Sequence, residues 1–525
     1  MRIKIKRAAG IEPASSAWKA EVLPLNYARA RNKTTHCWSK SLFSVVHYYL
    51  ASPIIQKRVN NSTSLYEGNN RTRLMISYAM GDAGTGLAAI QLGTYLFLFF
   101  TCAAGIPAFI AGSLLMVSKL WDAINDPLIG WMSDRTRSRW GPRLPWMIGG
   151  AVPLGLFLAA MWWVPPGDID AKTTYYVFAA IFLMTAYTAV NLPFAALSTE
   201  LTENIAIRTR LNAARFTGSI IAGTTGLIVA AGFLSQGVEG YTSMGRVTGI
   251  IATFTTLIAC WGLAPFAKKA RKPTSQSEPF NQQLKRVLNN KLFTRIIALY
   301  LLLWCGLQLM QTVSLIYLEQ VMLVPIEISK WIPIPFQIST LLGLQFWSFY
   351  SNKYGRISAL FKGGKIWVLA CFLVIFMPPI TKGVSINSLL AFGNIEGIKM
   401  LILLLIIILV GFGASTAYLI PWSLLPDAID QDPEKPSGIY TAWMVFIQKI
   451  GIGLSVQFLG VLLSLSGYKS STNCLSSLED LDQPLTAIIT IRLCMGLIPS
   501  LLVIAGLITM KPWRSLDFKS RRLSQ

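Results

Sequence analysis

Apolar runs of roughly 20 residues recur along most of the chain, and this pattern constrains the fold more than any other feature. A helix of that length crosses a hydrocarbon layer about 30 Å thick. Only helices and closed barrels can do so, because unpaired backbone groups cannot sit in hydrocarbon. The alternating residue pattern of a membrane barrel is absent from the sequence. The runs therefore predict an all-α membrane protein.

Twelve of these runs follow Leu74, and their composition suits a lipid environment. Charged residues make up 14% of the chain, whereas soluble domains contain about 25%. We predict transmembrane helices, numbered spans 1 to 12, at residues 75–101, 107–132, 144–165, 173–197, 212–235, 246–267, 294–320, 331–351, 364–381, 398–422, 436–467 and 484–510.

The formal net charge of +23 at first suggests a nucleic-acid partner. The basic residues, however, are concentrated in the loops after spans 2, 6 and 8 and in the segment after span 12. Basic loops on one side of the spans indicate the cytoplasmic side of a membrane protein. We therefore expect no nucleic-acid partner, a multi-pass position in the plasma (inner) membrane and both termini in the cytoplasm.

A polar linker at residues 268–293 divides the spans into two groups of six. This predicts an N-terminal six-helix bundle at 73–267 and a C-terminal one at 294–511, an arrangement typical of transporters whose site lies between two halves. Basic cytoplasmic tails flank the bundles at 1–72 and 512–525. The first is consistent with a disordered tail, a segment lying on the membrane surface or a start codon assigned too early.

Span 2 carries Lys119, Asp122 and Asp126, together with Asn125. An ionisable side chain costs about 2.5–3.5 kcal/mol at the bilayer centre, so a functional site is the default interpretation. Asp122 and Asp126 lie one turn apart on one helix face. Two such carboxylates repel each other and need a cation, a proton or a basic partner. Their oxygens suit Na⁺ or another small cation. If Lys119 neutralises one carboxylate, a surplus negative charge remains.

Four further polar residues lie inside apolar spans. Thr188 and Asn191 are one turn apart in span 4, where polar contacts between helices are also common. Arg215 near the start of span 5 fits an interfacial anchor or a substrate or carboxylate partner equally well. Lys449 in span 11 either extends to the interface or faces a polar cavity, and we favour the cavity.

Motifs for catalysis are missing from the sequence. It contains no Gly-x-x-x-x-Gly-Lys-Ser/Thr phosphate loop and no Gly-x-Ser-x-Gly or His-Glu-x-x-His stretch, so we expect neither an enzyme nor a resident cofactor.

The seven cysteines have no close pairing, which favours buried inert thiols. The role of Asp82 in span 1 stays open, and Arg492 in span 12 fits an inter-helix or helix-end contact.

One long stretch resembles a known family. Residues 121–131 read Trp-Asp-Ala-Ile-Asn-Asp-Pro-Leu-Ile-Gly-Trp, and residues 136–141 read Thr-Arg-Ser-Arg-Trp-Gly. This stretch resembles the glycoside–pentoside–hexuronide:cation symporters, the melibiose permease-like family of the major facilitator superfamily. Shorter matches in spans 1, 4, 5, 10 and 11 follow in the same order. The resemblance implies the major facilitator fold of twelve transmembrane helices in two six-helix bundles.

The resemblance also implies roles for individual residues. In that family the coupling cation is held by two span-2 aspartates, the asparagine between them and a span-4 threonine. The matching residues here are Asp122, Asn125, Asp126 and Thr188, with Asp122 and Asp126 as metal ligands if the cation is Na⁺. Arg215 matches an arginine that contacts sugar, and Lys449 matches a lysine near the cation.

The substrate side departs from the family. Two positions that carry sugar-binding aspartates there are Gly86 and Asn191 here, and a nearby tryptophan is replaced by Ala195. A different neutral sugar, an acidic sugar such as a hexuronide and a lipid-like molecule therefore all stay open, and melibiose is not predicted. The expected substrate-binding residues are Gly86, Trp121, Asn191, Arg215 and Lys449.

The expected function is symport of a small molecule, a sugar or glycoside, with Na⁺, Li⁺ or H⁺ by a monomeric carrier that alternates its access. The same superfamily branch contains sodium-coupled lysophospholipid carriers, which give an alternative lipid-like substrate. A non-transporting receptor on this fold is a third hypothesis. The acids at positions 122 and 126 argue against it, because a receptor has no clear need of a coupling ion.

Overall fold

The computed structural model describes residues 68–202, 205–268, 280–381, 388–389, 394–433, 437–470 and 483–513. Residues 1–67 and 514–525 of the two predicted tails, and residues 269–279 of the predicted linker, lie outside this part. The first helix begins at Gly68, so residues 68–72 of the predicted N-terminal tail belong to it. The linker contains a helix, Phe280–Asn289, which we call the linker helix.

Each predicted span coincides with a long helix or a pair of helical segments in the described residues. Π-helical turns extend the first and seventh helices and join the two segments of the twelfth. The helices are α1 (Gly68–Gly81 and Ala83–Leu98), α2 (Ala108–Arg135), α3 (Leu144–Met161), α4 (Ile169–Leu201), α5 (Ile205–Phe233), α6 (Gly237–Ala267), α7 (Lys291–Ile316), α8 (Pro333–Tyr354), α9 (Arg356–Phe376), α10 (Ile395–Ile429), α11 (Ser437–Leu465) and α12 (Leu485–Arg492 and Ile498–Met510).

Length and hydropathy identify nine membrane-spanning segments in the described residues, one of which covers both α5 and α6. Helices α2 and α8 fall outside this set. Helix α2 is excluded because its middle carries the ionisable residues of the predicted site, which lower its hydropathy. Helix α8 contains glutamine, asparagine and several serines along its length. Because both are long and stand in sequence between apolar helices, the twelve-helix all-α prediction is confirmed.

The described residues from Gly68 to Trp513 form one compact unit in which helices α1–α6 and α7–α12 make two bundles. Within the first bundle the largest contacts join α3 to α6, α3 to α4 and α1 to α5. Within the second they join α9 to α10, α8 to α10 and α7 to α12. The bundles meet mainly along α2 and α11, and also along α1 and α7. Any site on α2 or α11 therefore lies between the two halves.

Glycines allow α2 and α11 to approach closely. A β-carbon on Gly460 would lie 2.5 Å from the carbonyl oxygen of Ala108 and 3.1 Å from the α-carbon of Gly112. A β-carbon on Gly453, two turns earlier on α11, would lie 3.2 Å from the β-carbon of Lys119. Small residues at such contacts let membrane helices pack backbone to backbone. This packing brings the polar residues in the middle of α2 opposite α11.

Ion pairs mark the end of the bundles at which α2 ends and α3 begins, which we call the basic end. Arg143 lies 2.6 Å from Glu200 and 2.5 Å from Asp134, which joins α2, α3 and α4. Burial raises the pKa of the Glu200 carboxyl, and the hydrogen bond from Arg143 opposes this shift. In the second bundle Arg356 lies 2.5 Å from Asp427. The opposite end, where α1 ends and α2 begins, is called the far end.

The cysteines differ from the prediction at one position. Cys260, Cys305, Cys371 and Cys494 are free thiols. Cys102, which lies at the far end of α1, is disulfide-bonded. The prediction of inert thiols is therefore wrong for Cys102. Spacing along the chain could not reveal this, because a disulfide depends on how close two α-carbons come in the fold and on whether their β-carbons point toward each other.

Candidate functional site

A cavity of about 1330 Å³ lies between the two bundles. Its middle is lined by Lys119, Asp122, Asp126, Thr188 and Lys449. Its lining runs from Ile332 near the far end to Gln283 of the linker helix near the basic end. Concave sites with a few polar groups in an apolar wall are the usual form of a small-molecule site.

The two acids of α2 meet a hydroxyl group of α4. The Thr188 hydroxyl lies 3.1 Å from the Asp122 carboxylate and 3.3 Å from the Asp126 carboxylate. Only 4% of the Asp122 side chain is exposed, against 22% of Asp126. Two carboxylates and a hydroxyl are hard oxygen ligands, the type that small cations such as Na⁺ prefer over softer nitrogen or sulfur ligands. Three of the four predicted cation ligands therefore come together.

Lys449 of α11 is the basic partner of both acids. Its ammonium nitrogen lies 2.6 Å from a carboxylate oxygen of Asp126 and 3.0 Å from one of Asp122. The prediction that Lys449 faces a polar cavity is confirmed. Because Lys449 belongs to the second bundle and both acids to the first, this ion pair joins the two halves of the protein.

Asn125 and Trp121 lie on the face of α2 that packs against α4. The side-chain amide of Asn125 is 3.5 Å from the carbonyl oxygen of Met184, and only 2% of this residue is exposed. The Trp121 indole donates a hydrogen bond of 3.0 Å to the Thr185 hydroxyl. Asn125 is thus adjacent to the acids, whereas the structure directs Trp121 to α4 and not to the cavity. A substrate contact of Trp121 is not supported in this conformation.

A second polar group involves Arg215 of α5. Its guanidinium donates hydrogen bonds to the Asp82 carboxylate of α1 at 3.1 Å and to the Asn191 side chain of α4 at 3.2 Å. Asn191 in turn donates to the Tyr187 hydroxyl at 3.1 Å. The Thr85 hydroxyl donates to Asp82 at 3.0 Å. The open role of Asp82 is thereby answered, because it is the carboxylate partner of Arg215.

Of the predicted substrate residues, Arg215, Asn191 and Lys449 line the cavity. Gly86 does not, and its assignment to the substrate needs correction. A β-carbon at Gly86 would collide with the side chain of Ser219 and lie 2.9 Å from its α-carbon. The glycine is needed because α1 and α5 touch there. A glycine in a sequence does not show whether its helix borders a wider cavity or packs more closely against a neighbouring helix.

Two ionisable residues outside the cavity centre, Arg492 and Glu319, have other partners. Arg492 of α12 donates hydrogen bonds to the carbonyl oxygens of Ile375 and Met377 at 2.9 and 3.0 Å, so the expected helix-end contact is confirmed. Glu319, in the turn after α7, is 7% exposed and accepts a hydrogen bond of 3.1 Å from Ser329. The sequence analysis did not single out Glu319. The sequence did contain a signal for this residue, because Glu319 is an acidic side chain at the end of an apolar span.

The chain is similar in sequence to known proteins. Residues 77–512 match the family described as MFS/sugar transport protein. An uncharacterized symporter of Synechocystis sp. is 28% identical, over 82% of this chain and 92% of its own length. The isoprimeverose transporter of Lactiplantibacillus pentosus is 25% identical, over 75% and 80%. Sodium-dependent lysophosphatidylcholine symporter 1 of Gallus gallus is 21% identical, over 85% and 87%.

The fold is similar to that of solved transporters. A point mutant of the nucleoside transporter NupG superposes with a TM-score of 0.60 at 15% sequence identity, covering 84% of this chain and 100% of NupG. At that identity the likeness concerns the fold alone. The family match covers most of the chain, and several relatives are named as symporters. This chain therefore belongs to the MFS/sugar transport protein family, within the cation-coupled symporters of the major facilitator superfamily.

Proposed function

We propose that this protein is a secondary active transporter that couples the uptake of a sugar or glycoside-like solute to a monovalent cation. One observation carries the proposal. Two buried carboxylates and the Thr188 hydroxyl form an oxygen-rich site on the first bundle, and Lys449 of the second bundle contacts both carboxylates. A cation that enters between Asp122 and Asp126 competes with the lysine for the same oxygens. Cation binding therefore changes a contact between the two halves.

That competition supplies a coupling mechanism. The ion pair of Lys449 with Asp126 holds α11 against α2. A cation bound by the carboxylates releases the ammonium, and the freed lysine then faces the cavity in which the substrate binds. If the cation and the substrate favour the same arrangement of the bundles, each raises the affinity for the other by the same factor. Alternating access follows when the two halves rock around this shared site.

The substrate itself would bind beside the cation. Arg215, Asn191 and Tyr187 present a guanidinium, an amide and a hydroxyl group along one wall of the cavity. Such groups match the hydroxyl groups of a sugar ring. The isoprimeverose transporter among the relatives supports a glycoside. We expect the carrier to work as a monomer, because the cavity lies within one chain.

The orientation in the membrane follows from charge and from one disulfide. We infer that the basic end faces the cytoplasm, because it carries Arg135, Arg143, Arg356 and Lys511 and basic residues favour that side of a membrane. Cys102 at the far end is disulfide-bonded, and disulfides persist on the oxidising side of a membrane. Both features support a plasma (inner) membrane location with both termini in the cytoplasm.

A lysophospholipid is the second candidate substrate. Leucine, isoleucine, phenylalanine and tryptophan side chains make up much of the cavity wall, and this apolar character would suit an acyl chain. Several relatives are named sodium-dependent lysophosphatidylcholine symporters. The two candidates share the cation site and differ only in the solute.

Uptake by the purified full-length chain in proteoliposomes tests the proposal. Isoprimeverose, other glycosides and lysophosphatidylcholine would be offered under gradients of Na⁺, Li⁺ or H⁺. Cation-driven accumulation of a glycoside that is lost in Asp126→Cys supports the proposal. Accumulation of the lipid alone favours the second candidate. Uptake of any solute that is indifferent to all three cations, or that survives in Asp126→Cys, contradicts cation coupling.

A further inference from the structure

The far end holds a buried acid that the proposed cation site does not use. Glu319 lies in the π-helical turn Tyr317–Val321 that extends α7, directly after Leu318, which lines the cavity. Only 7% of Glu319 is exposed. The Ser329 hydroxyl donates a hydrogen bond of 3.1 Å to one of its carboxyl oxygens. The other oxygen, Oε2, is buried and has no hydrogen-bond partner among the described residues. A buried polar atom without a partner calls for a physical explanation.

Two tyrosine hydroxyl groups of the first bundle are in the same situation. Tyr95 of α1 and Tyr241 of α6 are fully buried, and within the described part of the chain neither hydroxyl has a hydrogen-bond partner. Tyr241 lies within electrostatic range of both Glu319 and Tyr95. We call Tyr95, Tyr241 and Glu319 the far-end cluster. Because Glu319 belongs to the second bundle and both tyrosines to the first, the cluster lies between the two halves.

Packing around the far-end cluster closes the cavity on this side. The short helix Ile326–Ser329, which follows α7, contacts the turn between α5 and α6. Next to it, Lys330 donates a hydrogen bond of 3.2 Å to Ser235 of that turn. Gln311 of α7 donates one of 3.1 Å to Thr94 of α1. These contacts join the second bundle to the first, so the cluster would meet water when the bundles separate at the far end.

No basic side chain of the described residues neutralises an ionised Glu319. The titratable groups within electrostatic range of it are Glu327 of the short helix, Tyr241 and Tyr468. Glu327 is itself an acid and would repel a carboxylate. Arg492 lies on the segment of α12 that packs against this turn, but it donates its hydrogen bonds to two backbone carbonyl oxygens. A negative charge on Glu319 would therefore be buried without compensation.

The surroundings of Glu319 suit a neutral carboxyl group. A carboxylate buried without a counter-charge is far more costly than a neutral polar group. In the protonated form, one oxygen accepts the hydrogen bond from Ser329 and the other carries a hydrogen that can be donated. A tyrosine hydroxyl oxygen, such as that of Tyr241, can accept a hydrogen bond from this donor. One bound proton thus removes the buried charge and provides a donor for the unpaired groups.

We propose that the far-end cluster is a proton-binding site, separate from the cation site, and that its proton stabilises the conformation in which the far end is closed. When the bundles separate there, Glu319 meets water and releases the proton to that side, and closing takes one proton up again. The proton returns to the compartment from which it came, so this site carries no net proton across the membrane. It instead regulates the alternating access on which the proposed function depends.

Linkage gives the direction of the effect. The closed conformation binds one more proton than the open one, so acid favours a closed far end and alkali favours an open one. A single proton changes the ratio of closed to open molecules by at most about tenfold per pH unit. Glu319→Gln imitates the neutral carboxyl, so it should keep the far end closed at alkaline pH and remove most of the pH dependence.

Hydrogen–deuterium exchange of the purified full chain in lipid nanodiscs tests the proposal, because backbone amides exchange when a region opens. Mass spectrometry would follow peptides from residues 90–103, 237–245 and 317–329 at acidic, neutral and alkaline pH. Comparing chains at the same pH cancels the direct effect of pH on the exchange chemistry. We expect far-end exchange in Glu319→Gln to be about tenfold slower than in the unaltered chain at alkaline pH, and equal to it at acidic pH. Glu239→Gln, which removes an exposed acid of α6 at the same end, is the matched control and should behave like the unaltered chain.

Three results would overturn the inference. Far-end exchange in a folded Glu319→Gln that equals that of the unaltered chain at every pH rules out Glu319. The same loss of pH dependence in Glu239→Gln would show a general effect of surface charge. Protection of the far end by Na⁺, Li⁺ or K⁺ at constant pH, lost in Glu319→Gln but kept in Asp126→Asn, would identify a metal-ion site and not a proton site.

A second variant keeps the proposal testable if Glu319→Gln does not fold. Tyr241→Phe removes a hydroxyl that can accept from the protonated carboxyl, so the far end should open at a lower pH than in the unaltered chain. An unchanged opening pH in Tyr241→Phe would then contradict the far-end cluster. None of these measurements uses a solute. Failure of cation-driven uptake would therefore count against the proposed function alone, and failure of the exchange test would count against the proton site alone.

Discussion

The ammonium group of Lys449 lies 2.6 Å from the carboxylate of Asp126, although 323 positions separate the two residues in the chain. This ion pair joins the second bundle to the first at the middle of the cavity. A symporter has to let the cation influence the relation between its halves, and this contact links the two directly. The predictions below start from this pair and from its neighbours.

Replacing Asp126 with asparagine should abolish cation-driven accumulation while leaving the protein folded. The substitution keeps the shape and removes the charge that holds the cation and Lys449. We expect the accumulation ratio to fall by about tenfold or more, the size of a typical coupling energy. Uptake by proteoliposomes under a Na⁺ gradient measures this. Asp170→Asn, which removes an exposed acid near the start of α4, is the control. Unchanged accumulation in Asp126→Asn would contradict the proposed cation site.

Replacing Lys449 with glutamine should tighten cation binding. The ammonium group occupies the oxygens that a cation needs, so its removal eliminates a tethered competitor. We expect the Kd for the coupling cation to fall by about tenfold, equivalent to about 1.4 kcal/mol. Quenching of tryptophan fluorescence on cation titration, with calorimetry as an independent measure, reports the Kd. Weaker cation binding in this variant would show that Lys449 supports the site and does not compete for it.

The pair between Arg215 and Asp82 should be important for stability. Both side chains are largely buried, and loss of one partner leaves a charge without compensation. Asp82→Asn and Arg215→Gln should each lower the free energy of unfolding by about 3 kcal/mol. The double variant should lose less than the sum, because its two neutral groups need no counter-charge. Thermal unfolding in detergent measures all three. Strict additivity would show that the two residues act independently.

A side chain at Gly460 should stop transport by separating α2 from α11. A β-carbon there would lie 2.5 Å from the Ala108 carbonyl oxygen, and helix backbones cannot yield as a flexible side chain can. We expect Gly460→Val to fold and to insert in membranes but to lose most cation-driven uptake. Gly149→Ala is the control, since no described atom lies within 4 Å of a β-carbon at that position. Normal uptake by Gly460→Val would mean that the close approach is not needed for the transport cycle.

Sequence reasoning located the acids of the site and several of their neighbours. The stacking of Asp122 and Asp126 follows from helix geometry alone, and a cavity-facing Lys449 follows from the cost of burying a charge. The residues alone did not identify the basic partner of the acids, although the family resemblance implied that Lys449 lies near the cation. Lys119 is one turn away in the sequence, yet Lys449 contacts both carboxylates. Asp82 was left open for the same reason, because its partner Arg215 belongs to another helix.

The sequence by itself determined those features that depend only on neighbouring residues in the chain. Hydrophobic length specifies the twelve helices, and helical periodicity places two acids on one face of α2. The cytoplasmic side that loop charge indicates stays a prediction. Only the tertiary structure decided which side chains meet between helices. It turned Trp121 toward Thr185, used Gly86 for packing against Ser219 and left Lys119 without a partner in the part of the chain that the structure describes. These outcomes depend on how helices far apart in the chain rotate and pack against each other, and no local pattern encodes that rotation.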